Sequence, residues 1–129
     1  MFSAFIIKLL KNERPVIYGS GEKRRDFIHV DDVNDFHLLC MKDDKTTGEV
    51  FNLGSGENYS VNEIFAIVRD LLGSELEPIY KPDQPGEALE TLAKIDKAKK
   101  LGWAPRVGLK EGLLSSIDFI KGEMAAGRL

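Results

Sequence analysis

The chain has 129 residues, 43% hydrophobic and 30% charged, which suits a single folded domain over residues 1–129 and argues against disorder. A net charge of −3 gives no electrostatic reason to expect nucleic acid or an anionic membrane as a partner. Cys40 is the one cysteine, so no internal disulfide can form, and with His29 and His37 as the only histidines no metal site is expected.

Apolar runs are short and broken by charge. The first residues, MFSAFIIKLLKNERP, carry neither a basic leader nor a small-residue cleavage site. No signal peptide and no membrane span are expected, and the cytoplasm is the expected compartment.

Phe2, Phe5, Ile6, Leu9 and Leu10 recur on one face of a helix that must stop before Pro15. Val16 to Tyr18 reads as a short strand, and Gly19-Ser20-Gly21 as a turn. Asp26 to Val30 reads as a second strand. Asp31 or Asp32 is placed to cap a helix through Val33, Phe36, His37 and Cys40, with Cys40 a core thiol. Glu49 to Leu53 reads as a third strand, followed by the turn Gly54-Ser55-Gly56.

Ser60-Val61-Asn62-Glu63 is a capping box that opens a helix through Ile64, Ile67, Val68, Leu71 and Leu72, closed by Gly73. Leu76 to Tyr80 reads as a strand, Pro82 to Gly86 as a loop, and Ala88 to Lys94 as extended chain. Asp96 is placed to cap a short helix ended by Gly102. Leu109, Leu113, Ile117 and Ile120 carry a last helix, with a fraying tail from Gly122. The mixture of helices and short strands gives a mixed α/β class.

Three patterns are missing from the 129 residues. A dinucleotide fingerprint on Gly19/Gly21 would need glycine where Arg24 stands, and one on Gly54/Gly56 would need it at Tyr59. Tyr18, Tyr59 and Tyr80 are followed four residues on by Glu22, Glu63 and Gln84, so there is no Tyr-x-x-x-Lys acid/base pair. No nucleophile–base–acid set stands out. No catalytic residue is assigned.

The segments IYGSGEKRRDFIHVDDV (17–33), EVFNLGSGENYSVNEI (49–64), PGE (85–87) and KIDKAKKLGWAPRVGLKEGL (94–113) occur in family order at family spacing. They resemble the C-terminal part of extended short-chain dehydrogenase/reductases of the NAD-dependent epimerase/dehydratase family, UDP-sugar 4-epimerases above all. The resemblance implies a small C-terminal domain that grips a nucleotide-sugar, here without the Rossmann domain that carries NAD and catalysis. The cofactor is then NAD in the full-length parent and none within these residues. The missing Rossmann domain, in cis or in trans, is the implied protein partner. A face built to meet it would be apolar, so self-association is also expected. A stand-alone nucleotide-sugar-binding or structural module is the alternative reading.

The resemblance also assigns binding residues. Arg25 matches the family arginine on the nucleotide diphosphate, where a guanidinium fork donates parallel charge-assisted hydrogen bonds. Val16, Ile17 and Tyr18 match the segment that holds uracil through backbone groups and the tyrosine ring. Gln84 stands where many relatives carry a second phosphate arginine. It can donate a hydrogen bond but brings no charge, which nearby Lys81 can supply. Arg24 reads as a surface charge. Asn52, Gly54 and Gly56 read as turn residues, and Trp103-Ala104-Pro105 as packing.

Overall fold

The computed structural model describes the whole chain, residues 1–129. Its first element, helix α1 (Phe2–Leu10), buries Phe5, Ile6 and Leu9. Asn12 takes φ 56°, and the chain turns before Pro15 into β1 (Val16–Tyr18). Next come β2 (Arg24–Asp26), α2 (Val30–Cys40), β3 (Asn58–Ser60) and α3 (Val61–Leu72). The chain ends with β4 (Ile79–Lys81), the short α4 (Asp96–Lys99) and α5 (Leu109–Ala125).

The strands form two separate pairs. β1 lies parallel to β4, with Ile17 opposite Tyr80. β2 lies antiparallel to β3, with Arg25 opposite Tyr59.

Two apolar clusters organise the helices. In the first, α1, α3 and α5 meet over Ile17, with Ile6, Ile64 and Val68 fully enclosed. Phe5 and Phe65 meet edge to face at 5.7 Å. The apolar face expected at residues 2–10 therefore covers the core of its own chain. Burying each such side chain contributes about 1.5–3 kcal/mol. The second cluster joins Phe36 of α2 to Ile95, Ala98 and Trp103. Cys40 packs at its edge, half-buried rather than enclosed.

The capping box is present: Ser60 Oγ accepts from the Glu63 N–H at 3.0 Å, and the Glu63 carboxylate accepts from the Ser60 N–H at 2.6 Å. Gly73 ends α3 at φ 62°, a left-handed conformation that glycine adopts without strain. The Ser60 backbone N–H, helped by the Arg24 charge and opposed by desolvation, holds the Glu63 carboxyl below its ordinary value of 4.5. A carboxyl with a depressed folded pKa stabilises the fold above its unfolded pKa and loses that contribution as pH falls through the folded value. Ser60→Ala is expected to cost about 1 kcal/mol. Glu63→Gln should flatten the loss of stability below pH 4.5, as read from urea midpoints at several pH values.

Several elements differ from the sequence reading. The second strand is Arg24–Asp26 rather than Asp26 to Val30, because only that stretch finds a partner in β3. Asp26 then turns its carboxylate onto other segments. It accepts from the Ser55 N–H and hydroxyl, both at 2.7 Å, and from the Ala93 N–H at 3.1 Å. Gly54 is required there, since a Cβ would stand 2.4 Å from Asp26 Oδ2. Asn52, read as the cap of that turn, is exposed.

Glu49 to Leu53 pairs with no strand. Phe51 and Leu53 pack on the second cluster, and Lys97 Nζ lies 4.6 Å from the Phe51 ring centroid while donating to the Val50 carbonyl. The strand expected at Leu76 to Tyr80 lies at Ile79–Lys81. Leu76 is drawn into the first cluster, Pro78 has no N–H to give, and Arg14 takes the Glu77 and Pro78 carbonyls.

The caps also differ. His29, not Asp31 or Asp32, caps α2: its Nδ1 accepts from the Asp31 N–H at 3.2 Å. Asp96 lies inside α4, after the cap position Ile95. The last helix runs through Gly122 to Ala125, with Met124 packed on the first cluster and Arg128 paired with Glu123 across its end.

Candidate functional site

β1 has a partner on one side only. The Ile79 N–H donates to the Pro15 carbonyl, and the Gly19 N–H to the Lys81 carbonyl. Residues that bond across a parallel pair alternate along the strand. Ile17 therefore faces β4 with its backbone, and its side chain is in the core. The N–H and C=O groups of Val16 and Tyr18 face the open edge.

That edge borders a cavity of about 370 Å³. Its apolar wall comes from the start of α1, at Ala4 and Phe5, and from Phe27 and Val61. Val16, Ile17 and Tyr18 line it along the strand, with Lys23, Arg25 and Glu87 at its polar side. The lining thus combines apolar side chains, a strand edge with free hydrogen-bonding groups, two cations and one carboxylate.

Arg25 is half-buried and oriented. Its Nη1 donates to the Arg24 carbonyl at 2.8 Å, and Nη2 lies 3.9 Å from a Glu87 carboxylate oxygen. Lys23 is more deeply set, with a side chain 11% exposed. Asp83 holds its ammonium above the ordinary lysine range, and Glu87 acts in the same direction against the effect of burial.

The structure brings Val16, Ile17, Tyr18 and Arg25 to one cavity. Gln84 lies outside its lining, exposed on the loop after β4, where its backbone N–H donates to the Asp83 carboxylate at 2.8 Å. Lys81 also lies outside. Arg24 is not a free surface charge: it donates to the side chain and carbonyl of Asn58, both at 2.8 Å, and pairs with Glu63. Lys23 and Glu87 were missed as cavity residues. Lys23 sits in a basic run that reads as solvated charge, and Glu87 was visible only as part of Pro85-Gly86-Glu87.

Asp32 has a role that the sequence did not show. It is 2% exposed, and its carboxylate accepts from the Arg106 N–H at 2.8 Å and the Val107 N–H at 3.1 Å. Its carbonyl accepts from the Trp103 indole at 2.9 Å. The residue thus ties α2 to the segment before α5.

A model of the NAD dependent epimerase/dehydratase family matches residues 1–54. The chain is 38% identical over 121 residues to a putative UDP-glucose 4-epimerase of Methanocaldococcus jannaschii, covering 94% of this chain and 39% of that protein. The first 54 residues thus carry the sequence pattern of that family, and the rest of the chain is similar to such an enzyme along its length. Among solved structures, UDP-glucose 4-epimerase of Thermotoga maritima with UDP-glucose superposes with a TM-score of 0.88 at 36% identity, over 93% of this chain and 38% of that one. UDP-glucuronic acid 4-epimerase of Bacillus cereus, in complex with UDP-glucuronic acid and NAD, gives 0.88 at 31%, over 94% and 39%. The chain therefore spans about two-fifths of the length of the relatives it matches, and its mixed α/β fold is that of the matching stretch.

The two glycine turns do not fit the pyrophosphate of NAD. Space beside Gly19 is taken by the Asp83 carboxyl, 3.0 Å from where a Cβ would stand, and space beside Gly54 by Asp26. The helix that follows the second glycine turn has its N-terminus closed by Ser60 and Glu63. Neither turn leaves a cradle for a pyrophosphate. No helix is long and apolar enough to cross a membrane.

Proposed function

We propose that this chain is the nucleotide-sugar-binding portion of an NAD-dependent UDP-glucose 4-epimerase-like enzyme, and is not catalytic by itself. The observation that carries this reading is the convergence of the open edge of β1, the Tyr18 ring and the Arg25 guanidinium on one cavity. Uracil lies along Val16 to Tyr18, its ring edge exchanging hydrogen bonds with their free backbone groups. Ile17 contributes position rather than contact, since its backbone faces β4. Arg25 meets the diphosphate. Gln84 is exposed on the loop after β4 and lines no part of this cavity.

NAD supplies the redox chemistry at the sugar when it is bound in the Rossmann domain of such an enzyme. That domain would pack on the outer side of α2, where Val30, Leu38 and Met41 are 62%, 53% and 82% exposed. The same face would drive self-association of the isolated chain. Both partners are read from this exposure and from the share of the relatives that the chain spans.

The reading is tested by titrating the chain and Arg25→Ala with UDP. A single charge-assisted contact in a half-open site supports affinity in the millimolar range, about −4 kcal/mol. Arg25→Ala should weaken UDP by about tenfold or more, and added salt should weaken the parent. Equal affinity in parent and variant would remove Arg25 from the site.

A further inference from the structure

The loop from Pro82 to Ala88 is tethered at both ends beside the cavity. β4 holds its start against β1, and beyond it the Arg24 N–H donates to the Leu89 carbonyl at 2.9 Å while the Thr91 N–H donates to the Arg24 carbonyl at 3.1 Å. Between these anchors the loop sets two half-exposed carboxylates on the Lys23 ammonium. Asp83 packs on Gly19, whose missing side chain makes the room, and accepts from Lys23 Nζ at 2.5 Å. Glu87 lines the cavity, accepts from Lys23 Nζ at 3.0 Å and lies 3.9 Å from Arg25 Nη2.

We propose that Lys23 is the second cation of the anion subsite, and that Asp83 and Glu87 hold it and Arg25 until the diphosphate of the ligand replaces them. The inference rests on the nucleotide-sugar reading of the cavity. It answers a need that reading leaves open, because Gln84 brings no charge and Lys81 does not line the cavity. Lys23 does line it, and its ammonium is the meeting point of both loop carboxylates. An ammonium with three donors can exchange a carboxylate for a phosphate oxygen without changing its own position. The two acids make the exchange a competition. They keep the cations paired in the free chain and reduce the net gain on binding. A ligand that brings two phosphates displaces them better than one that brings a single phosphate.

The experiment titrates the chain, Lys23→Gln, Glu87→Gln and Lys23→Gln/Glu87→Gln with UDP, UMP and uridine. Lys23→Gln is expected to weaken UDP by roughly tenfold, UMP by less, and uridine not at all. Glu87→Gln is expected to tighten UDP several-fold without changing uridine, and the double variant to lose that gain. Far-UV circular dichroism and urea midpoints confirm that each variant is folded. If the parent binds UDP but Lys23→Gln matches it, the proposal is overturned and the nucleotide reading stands. An unchanged affinity in Glu87→Gln overturns the competition. If the parent binds none of the three ligands, both readings fall together.

Discussion

Trp103→Ala is expected to destabilise the chain by about 3–5 kcal/mol, the range for removing a large aromatic side chain from a core. Trp103 is 5% exposed, meets Phe36 edge to face at 5.6 Å, and donates its indole N–H to the Asp32 carbonyl. Only three other residues share the buried centre of that cluster, so little remains to fill the space. Urea unfolding of parent and variant measures the effect. Trp103→Phe should recover part of it by filling volume, but not the hydrogen bond. A loss below about 1 kcal/mol would mean that the second cluster does not close on Trp103.

Asp32→Ala is expected to cost about 3 kcal/mol. Two backbone N–H donors, of Arg106 and Val107, lose a charged acceptor, and each such bond is worth about 1.5–3 kcal/mol. Asp32→Asn should recover little of this, since an amide offers one acceptor oxygen and turns a donor towards the other N–H. The Trp103 indole bonds the Asp32 backbone carbonyl, which Asp32→Ala keeps, so a double variant Trp103→Ala/Asp32→Ala that loses less than the sum of the two would report the shared placement of residues 103 to 107 on α2, not that bond. Strict additivity would mean that the indole and the carboxylate hold that segment independently.

The elements that were legible in the sequence are those whose causes are local. The 3.6-residue periodicity of α1, the capping box before α3 and the left-handed Gly73 each depend on residues within one or two turns. The strands were less legible because each is three residues long and exists only through a partner elsewhere in the chain. Glu49 to Leu53 has the β-branched and aromatic content of a strand, yet Phe51 and Leu53 are used to pack a cluster. The aspartates were misread for the same reason. Asp26 reads as the start of a strand and Asp32 as a cap residue, but each reaches amides more than 25 positions away.

Of the candidate site, the family pattern supplied four residues that share one cavity: Val16, Ile17, Tyr18 and Arg25. Lys23 was not, because its depth depends on Asp83 and Glu87, about 60 residues on. Gln84 has the reverse history. Its position in the pattern pointed to the phosphates, and the loop places it outside the cavity while its neighbour Asp83 pairs with Lys23.

The measurement that tests the central claim most directly is a titration of the isotope-labelled chain with UDP, followed by backbone amide chemical shifts. The account predicts saturable shifts in the millimolar range that cluster at Val16, Tyr18, Lys23 and Arg25 and are lost in Arg25→Ala. Shifts scattered over the surface, or none at millimolar UDP, would contradict it.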